Sequence, residues 1–104
     1  MSRRIYKYKL TNVGENIIHL PSHSRILSVI NQNEAVTVYA EVYNTDTKTK
    51  PIKIYVCQTG DETPKGASVF LGTVVLARGS YILHVYLKDS DYLWDGQNCT
   101  KITV

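Results

Sequence analysis

Residues 35–42 read AVTVYAEV, and this stretch decides the fold class because its apolar and polar positions alternate. Successive side chains of a β-strand point to opposite faces of the sheet, so the alternation predicts one buried and one solvated face. Four side chains are expected to point inward: Val36, Val38, Ala40 and Val42. Three are expected to point outward: Thr37, Tyr39 and Glu41. The stretch therefore predicts an amphipathic strand.

The same period of two extends along the chain in both directions. Towards the C-terminus, PIKIYVC (51–57) and YILHVYLKD (81–89) each place three aliphatic side chains on one face, with His84 and Tyr86 on the opposite face of the second segment. SVFLGTVVL (68–76), the turn ARGS (77–80) and YILHVYLKD predict a hairpin. Towards the N-terminus, IYKYKL (5–10) predicts an apolar face with Tyr6, Tyr8 and Leu10, and the nearly continuous apolar run RILSVI (25–30) predicts a buried strand.

No segment has the sustained apolar spacing of an amphipathic helix, so at most a short helical turn is expected, best placed in SDYLWDGQ (90–97). An apolar face must be buried on a second sheet or on itself. We therefore predict an all-β fold, a small antiparallel β-sandwich or barrel of seven to eight short strands. Residues 1–88 form a single all-β domain in this prediction. Residues 89–104 form a C-terminal tail that packs on the domain or on a neighbouring subunit through Tyr92, Leu93 and Trp94.

The composition, with 43% apolar and 20% charged residues in 104, is typical of one soluble globular domain. No apolar run approaches the roughly 18 residues of a membrane-spanning helix. The opening MSRRIYKYKL lacks the apolar segment of a secretory signal, so we expect a cytosolic protein. A disulfide between Cys57 and Cys99 would require Cα atoms within about 7 Å, and a reducing cytosol disfavours it.

The net charge of +3 comes from cations that are scattered along the chain, apart from Arg3–Arg4 and KTKPIK (48–53). Nucleic-acid binding would require a denser basic patch. Tyrosine is over-represented, with eight Tyr against one Phe and one Trp. These tyrosines fit half-exposed strand positions, or a contact surface for a partner or a stacking ligand.

Five short segments together resemble an uncharacterised family of small bacteriophage proteins. They are IYKYKL, LPSHSRILSV, the TG of CQTGDE, LGTV and HVY, with the matching positions Leu20, Pro21, Ser24, Ile26 to Val29, Gly72, Thr73 and His84 to Tyr86. The resemblance covers residues 4 to 88 and implies phage origin and a location in the infected cell's cytoplasm, but it supplies no activity. The chain departs from that pattern at CQTGDE (57–62), where the family tends to have Gly-Thr-Gly-His, and after Lys88, where no counterpart can be placed.

Two groups of residues are candidates for chemistry. A zinc site needs three or four converging ligands, and His19 and His23 lie on either side of Pro21, where no helix can place both on one face. We predict no metal, with convergence of these histidines on a cysteine as the point to check. Cys57 with His84 and Asp61 is an imaginable nucleophilic set, but no spacing requires it. No nucleophile elbow, P-loop or dinucleotide fingerprint is present, so we predict neither an enzyme nor a cofactor.

Two classes of function remain. The first is a phage-encoded, non-enzymatic binding protein that counters host defence by sequestering a nucleotide signal or by capturing a defence protein. Tyrosines can stack on bases and basic side chains can meet phosphates, which gives these candidate ligand residues: Tyr39, Tyr55, Arg25, Lys53, Arg78, His84 and Tyr86. The second class is a structural or virion-accessory module. NCTKITV (98–104) is a candidate for an eighth, edge strand, and an exposed apolar strand at a terminus predicts a homo-oligomer.

Overall fold

A computed structural model describes residues 3–21, 23–43, 48–66 and 68–88, without the side chain of residue 43. These residues form seven strands and a short 3-10 turn. The strands are β1 (Arg3–Lys9), β2 (Gly14–Pro21), β3 (Arg25–Gln32), β4 (Ala35–Tyr43), β5 (Thr49–Gln58), β6 (Ser68–Leu76) and β7 (Tyr81–Lys88), and the 3-10 turn spans Ala77–Gly79. The predictions of an eighth strand at 98–104 and of a helical turn at 90–97 lie outside the described residues.

The strands form two antiparallel sheets, one in the order β1-β4-β3 and one in the order β2-β5-β7-β6. The all-β prediction is confirmed, and of its two forms the open sandwich is the one observed. The predicted hairpin of β6 and β7 is also confirmed, in register from Ser68↔Lys88 to Leu76↔Tyr81.

The core lies between the two sheets and consists of the side chains that strand alternation assigns to one face. The predicted inward residues of β4 are all buried, with exposed fractions of 5% or less. The predicted inward residues of β5 and β7 are buried as well: Ile52, Ile54, Val56, Leu83, Val85 and Leu87. Leu20 of β2 and Ile26 of β3 complete the centre of this apolar layer.

Two strands differ from their sequence-based predictions. In β3, Ile26 is buried, and Leu27, the next residue along the strand, is 39% exposed on the opposite face. Ile30 is 43% exposed because a β-bulge between Ile26 and Ser28 shifts the register with β4 and turns Ile30 outward. The prediction of a buried strand is therefore confirmed at Ile26 and wrong at Leu27 and Ile30. In β1, the residues of the expected apolar face are only partly covered: Tyr8 is half-buried and Tyr6 is 44% exposed. The reason is that β1 lies at the edge of its sheet, where little of the second sheet covers it.

Contacts between β3 and β6 close one side of the sandwich. The side-chain amide of Asn31 donates a hydrogen bond of 2.9 Å to the carbonyl oxygen of Val75. The carboxylate of Glu34, in the two-residue turn between β3 and β4, accepts a 2.7 Å hydrogen bond from the backbone N–H of Ala77. Asn33 and Glu34 both have positive φ, 53° and 62°, as the tight hairpin turn requires.

Asn16 organises the connection between β1 and β2. Its side chain is 6% exposed, and its amide oxygen accepts hydrogen bonds from the backbone N–H groups of Thr11 and Asn12 at 3.2 and 3.1 Å. Its amide nitrogen donates to the carbonyl oxygens of Asn12 and Gly14 at 2.8 and 3.3 Å. A buried amide with both ends satisfied fixes the path by which the chain passes from one sheet to the other.

Candidate functional site

A row of three aromatic side chains crosses the outer face of the four-stranded sheet. Tyr55 of β5 is opposite Tyr86 of β7, and Tyr86 is opposite Phe70 of β6. The rings of Phe70 and Tyr86 meet edge to face, with centroids 5.4 Å apart and planes at 63°. The ammonium of Lys88 lies 5.7 Å from the centroid of the Tyr55 ring, within the range of a cation–π interaction.

Exposed aliphatic side chains lie on the same face of the sheet. Ile17 of β2 is 53% exposed, and Val75 and Ile82, which are opposite each other in β6 and β7, are 48% and 41% exposed. Phe70 is 53% exposed. We call this surface the aromatic face and define it by six residues: Ile17, Tyr55, Phe70, Val75, Ile82 and Tyr86. Exposed apolar side chains gathered on one sheet face are typical of an interaction surface.

His84 lies between Ile82 and Tyr86 along β7, and two threonine hydroxyls hold its ring. Nε2 is 2.9 Å from the hydroxyl of Thr59, and Nδ1 is 3.0 Å from the hydroxyl of Thr73. A hydroxyl can donate or accept, so this pair satisfies either neutral tautomer of the imidazole. Thr59 follows β5 and Thr73 lies opposite His84 in β6, so the imidazole is fixed between a loop and a strand.

Cys57 is opposite His84 in the pairing of β5 with β7, but the two do not form an activated pair. Its buried thiol donates to the carbonyl oxygen of Glu62, with Sγ 3.5 Å away. Burial, together with the negative charge of Asp61, raises the pKa of Cys57 above its ordinary value. Nucleophilic cysteines need a lowered pKa, so this environment keeps the sulfur as an unreactive thiol.

Asp61 has a structural contact in the same loop. Its carboxylate accepts a 3.0 Å hydrogen bond from the backbone N–H of Gln58, and its own N–H donates to the carbonyl oxygen of Gln58. This geometry is that of a tight turn that follows β5, closed by an aspartate side chain. Asp61 therefore stabilises the turn, while the threonines orient His84.

The structure brings together four of the seven predicted ligand residues and separates the other three. Lys53, Tyr55, His84 and Tyr86 all belong to the outer face of the four-stranded sheet. Tyr39 and Arg25 belong to the three-stranded sheet, where the Tyr39 hydroxyl donates to the side-chain carbonyl of Gln32. Arg78 lies in the 3-10 turn between β6 and β7. The predicted interface of Tyr92, Leu93 and Trp94 lies outside the described residues.

Phe70 is the most informative residue that sequence reasoning missed. Val74 of the same strand is buried, and strict alternation from Val74 would point Phe70 inward as well. A bulge between Phe70 and Gly72 reverses this parity, so Phe70 points outward and Leu71 packs against the core. Gly72 is the one sequence signal for the bulge, since glycine inside a strand pattern often marks one.

The histidines considered for a metal site are both exposed. His19 lies on β2, and His23 lies in the turn after it with a φ of 63°. Within the part of the chain that the structure describes, no group of three or more His, Cys, Asp or Glu could hold a metal ion. Cys99, the residue considered as a disulfide partner of Cys57, lies outside that part.

A cleft of about 450 Å³ opens between the two sheets at the end where β1 joins β2. Its walls include the core side chains Val36, Val56 and Leu83, with Lys9 and Glu34 among the polar residues. This cleft is the open end of the sandwich core.

Among the described residues, no helix has the length and apolar content that a membrane span requires.

Comparison with known proteins gives one match. A family described as a domain of unknown function (DUF7352) matches residues 1–93. No curated protein and no solved structure matches the chain. The resemblance to a family without an assigned activity is thus confirmed at that level, and phage origin stays a prediction.

Proposed function

The chain belongs to the DUF7352 family, a domain of unknown function, and we propose from its geometry that it is a non-enzymatic binding protein that captures a partner protein on the aromatic face. In this proposal the partner is a host defence protein, and the binding protein is encoded by a phage and acts in the cytoplasm of the infected host cell. The observation that carries the proposal is the row Tyr55, Tyr86 and Phe70, with exposed aliphatic residues on the same face of the sheet.

The composition of the aromatic face supports a protein as the partner. Aromatic residues are enriched at protein–protein interfaces and often contribute most of the binding energy. The sheet fixes the backbone of all three aromatic residues, and the rings of Phe70 and Tyr86 contact each other, so less ordering is needed when a partner binds. Lys53 and Lys88 lie beside the row and supply a charged margin.

The surroundings of Cys57 and His84 support binding without catalysis. The thiol has a raised pKa, and both imidazole nitrogens are close to threonine hydroxyls. A nucleophilic mechanism would instead need a thiolate and a base in direct contact. We assign His84 and its two threonines to the shape of the binding surface.

A nucleotide is a second candidate ligand, favoured by the position of Lys88 over the ring of Tyr55. Bases stack on aromatic side chains of sheet surfaces, and lysines provide cations for phosphates. In this form of the proposal, Lys53, Tyr55 and Tyr86 keep their predicted role as ligand residues. Lys88 supplies a cation in place of Arg25 and Arg78.

Affinity capture with matched variants tests the proposal. The purified chain, immobilised through its C-terminus, is incubated with host lysate, and captured proteins are quantified for wild type, Phe70→Glu and Ile30→Glu. Phe70 and Ile30 are 53% and 43% exposed on different sheets, so neither glutamate is buried. The proposal predicts that Phe70→Glu lowers capture of a specific partner by about thirtyfold, the effect of losing a strong interface residue, and that Ile30→Glu does not.

Two further measurements separate the alternatives. Mass spectrometry of the supernatant after heat denaturation detects a bound nucleotide, and its loss in Tyr55→Ala would favour the second candidate. Stoichiometric presence of the chain in purified virions would favour the structural or virion-accessory alternative. Light scattering of the purified chain tests the predicted homo-oligomer.

A further inference from the structure

Strand β1 is exposed on both of its faces. Six of its seven residues are exposed and Tyr8 is half-buried. It is the outermost strand of the three-stranded sheet and is paired with β4 on one side. The outer edge of such a strand presents backbone N–H and C=O groups in the spacing that another strand would need.

The edges of the two sheets differ in how well they are protected. The β3 and β6 edges contact each other, joined by the hydrogen bonds of Asn31 and Glu34 described above. The inward side chains of β2, Asn16, Ile18 and Leu20, are buried, and the strand ends at Pro21, which cannot donate to a ladder. Among the described edge strands, β1 is therefore the one whose side chains are most exposed.

The charge of β1 is strongly positive. Its sequence RRIYKYK contains four cations and no acidic residue. Arg3 forms an ion pair with Glu41 of β4, with Nη1 and Oε1 2.9 Å apart. Lys7 and Lys9 are exposed, and their neighbours across the ladder are the uncharged Tyr39 and Thr37.

We propose that the outer edge of β1 binds an acidic, extended segment of a partner protein, which adds to the three-stranded sheet as a fourth strand. Backbone hydrogen bonds along β1 would give affinity, and side-chain positions that alternate along the added strand would give specificity. Acidic residues on the outward side would lie beside Lys7 and Lys9. Apolar residues on the inward side would cover Tyr6. The seven residues of β1 offer about 23 Å of edge.

The charge also distinguishes this occupant from two others. A second copy of the chain would place the four cations of one β1 beside the four of another, and like charges on adjacent strands are unfavourable. Lysines on an edge strand are a common protection against self-pairing. A nucleic acid would meet the cations but has no backbone that matches the ladder spacing. An acidic peptide satisfies both features.

Binding of a synthetic peptide tests this inference. The probe is a fluorescein-labelled heptapeptide of alternating glutamate and valine, measured by fluorescence anisotropy against the full chain. Two control peptides have the same length: one has lysine for glutamate, and the other keeps the glutamates but has N-methylated backbone amides. The matched protein variants are Lys7→Glu with Lys9→Glu, and Lys65→Glu as a control in the loop between β5 and β6.

The inference predicts saturable binding of the acidic peptide and no binding of either control peptide. The double variant is expected to raise Kd by at least about tenfold, because two attractions become repulsions, while Lys65→Glu leaves Kd unchanged. Amide hydrogen exchange should slow at β1 when the peptide is bound. Absence of saturable binding, equal binding of the N-methylated peptide, slow exchange at β1 in a dimer without peptide, or displacement of the peptide by an oligonucleotide each overturns the inference.

Discussion

Phe70 packs edge to face against Tyr86 across the outer face of the four-stranded sheet, with ring centroids 5.4 Å apart. Phe70 is 53% exposed, so this pair lies on the surface and contributes little to the core. An aromatic pair adds about 0.5–1.5 kcal/mol beyond its area burial. The small structural contribution is what makes Phe70 a useful position for separating binding from folding.

We expect Phe70→Ala to lower the free energy of unfolding by no more than about 1.5 kcal/mol, because the aromatic contact is lost but no core cavity forms. The measurement is chemical denaturation followed by circular dichroism. Ile30→Ala, at a similarly exposed aliphatic position on the other sheet, is the control. A loss of about 3 kcal/mol or more for Phe70→Ala would show that Phe70 is a core residue and contradict its assignment to the aromatic face.

Ile54→Ala should lower the free energy of unfolding by about 2–5 kcal/mol, because Ile54 is fully buried between the sheets and its truncation leaves a cavity. Denaturant titration of this variant beside Ile30→Ala measures the difference. Equal effects of the two substitutions would mean that β5 presents its other face to the core.

Asn16→Ala is expected to lower the free energy of unfolding by about 2–3 kcal/mol, since four hydrogen bonds of a buried amide are lost and backbone groups are left without partners. Asn16→Asp should also destabilise, because a carboxylate cannot donate to the carbonyl oxygens of Asn12 and Gly14. Thermal unfolding measures both. Asn12→Ala keeps the backbone groups that contact Asn16 and should change stability by less than about 0.5 kcal/mol.

The raised pKa of Cys57 predicts slow alkylation and a loss of stability in alkali. Below the ordinary value of 9.0 the thiol is protonated in both the folded and the unfolded chain, so its contribution does not change with pH there. Above that value the unfolded chain releases the proton first, so the free energy of unfolding falls as the pH rises. The measurement is the free energy of unfolding as a function of pH, between about pH 8 and 10. It is compared between Cys99→Ser and the double variant Cys99→Ser with Cys57→Ala.

The same environment predicts how Cys57 responds to Asp61→Asn. Removing the negative charge lowers the pKa of the thiol, so iodoacetamide should react faster at a fixed pH near 8. Glu62→Gln, a neighbouring change of the same kind, is the control. A buried, protonated thiol would be contradicted if Cys57 of the wild-type chain were alkylated as fast as a cysteine in an unstructured peptide.

Much of the fold follows from the period of two. Val36, Val38 and Ala40 face the core because apolar residues at every second position can be buried on one face of a strand. The bulges after Ile26 and after Phe70 break that rule, and each reverses the face of the residues beyond it. Gly72 marks the second bulge in the sequence, but no glycine marks the first.

The candidate site was predictable only where it follows the same alternation. Tyr55, His84 and Tyr86 share a face because β5 and β7 are regular and in register. Arg25 and Tyr39 are separated from them by sheet order, which the residue pattern does not determine. The strand pattern does not predict the threonines that hold His84, since Thr59 and Thr73 approach the ring from different parts of the chain.

Site-specific photo-crosslinking determines whether the aromatic face binds a partner protein. In host cells that produce the chain, Phe70 is replaced by p-benzoylphenylalanine, and a second strain carries the same residue at Ile30 on the other sheet. If the aromatic face binds a host protein, we expect one discrete covalent adduct with that protein from position 70 and none from position 30. No adduct from position 70, or the same set of adducts from both positions, would contradict it.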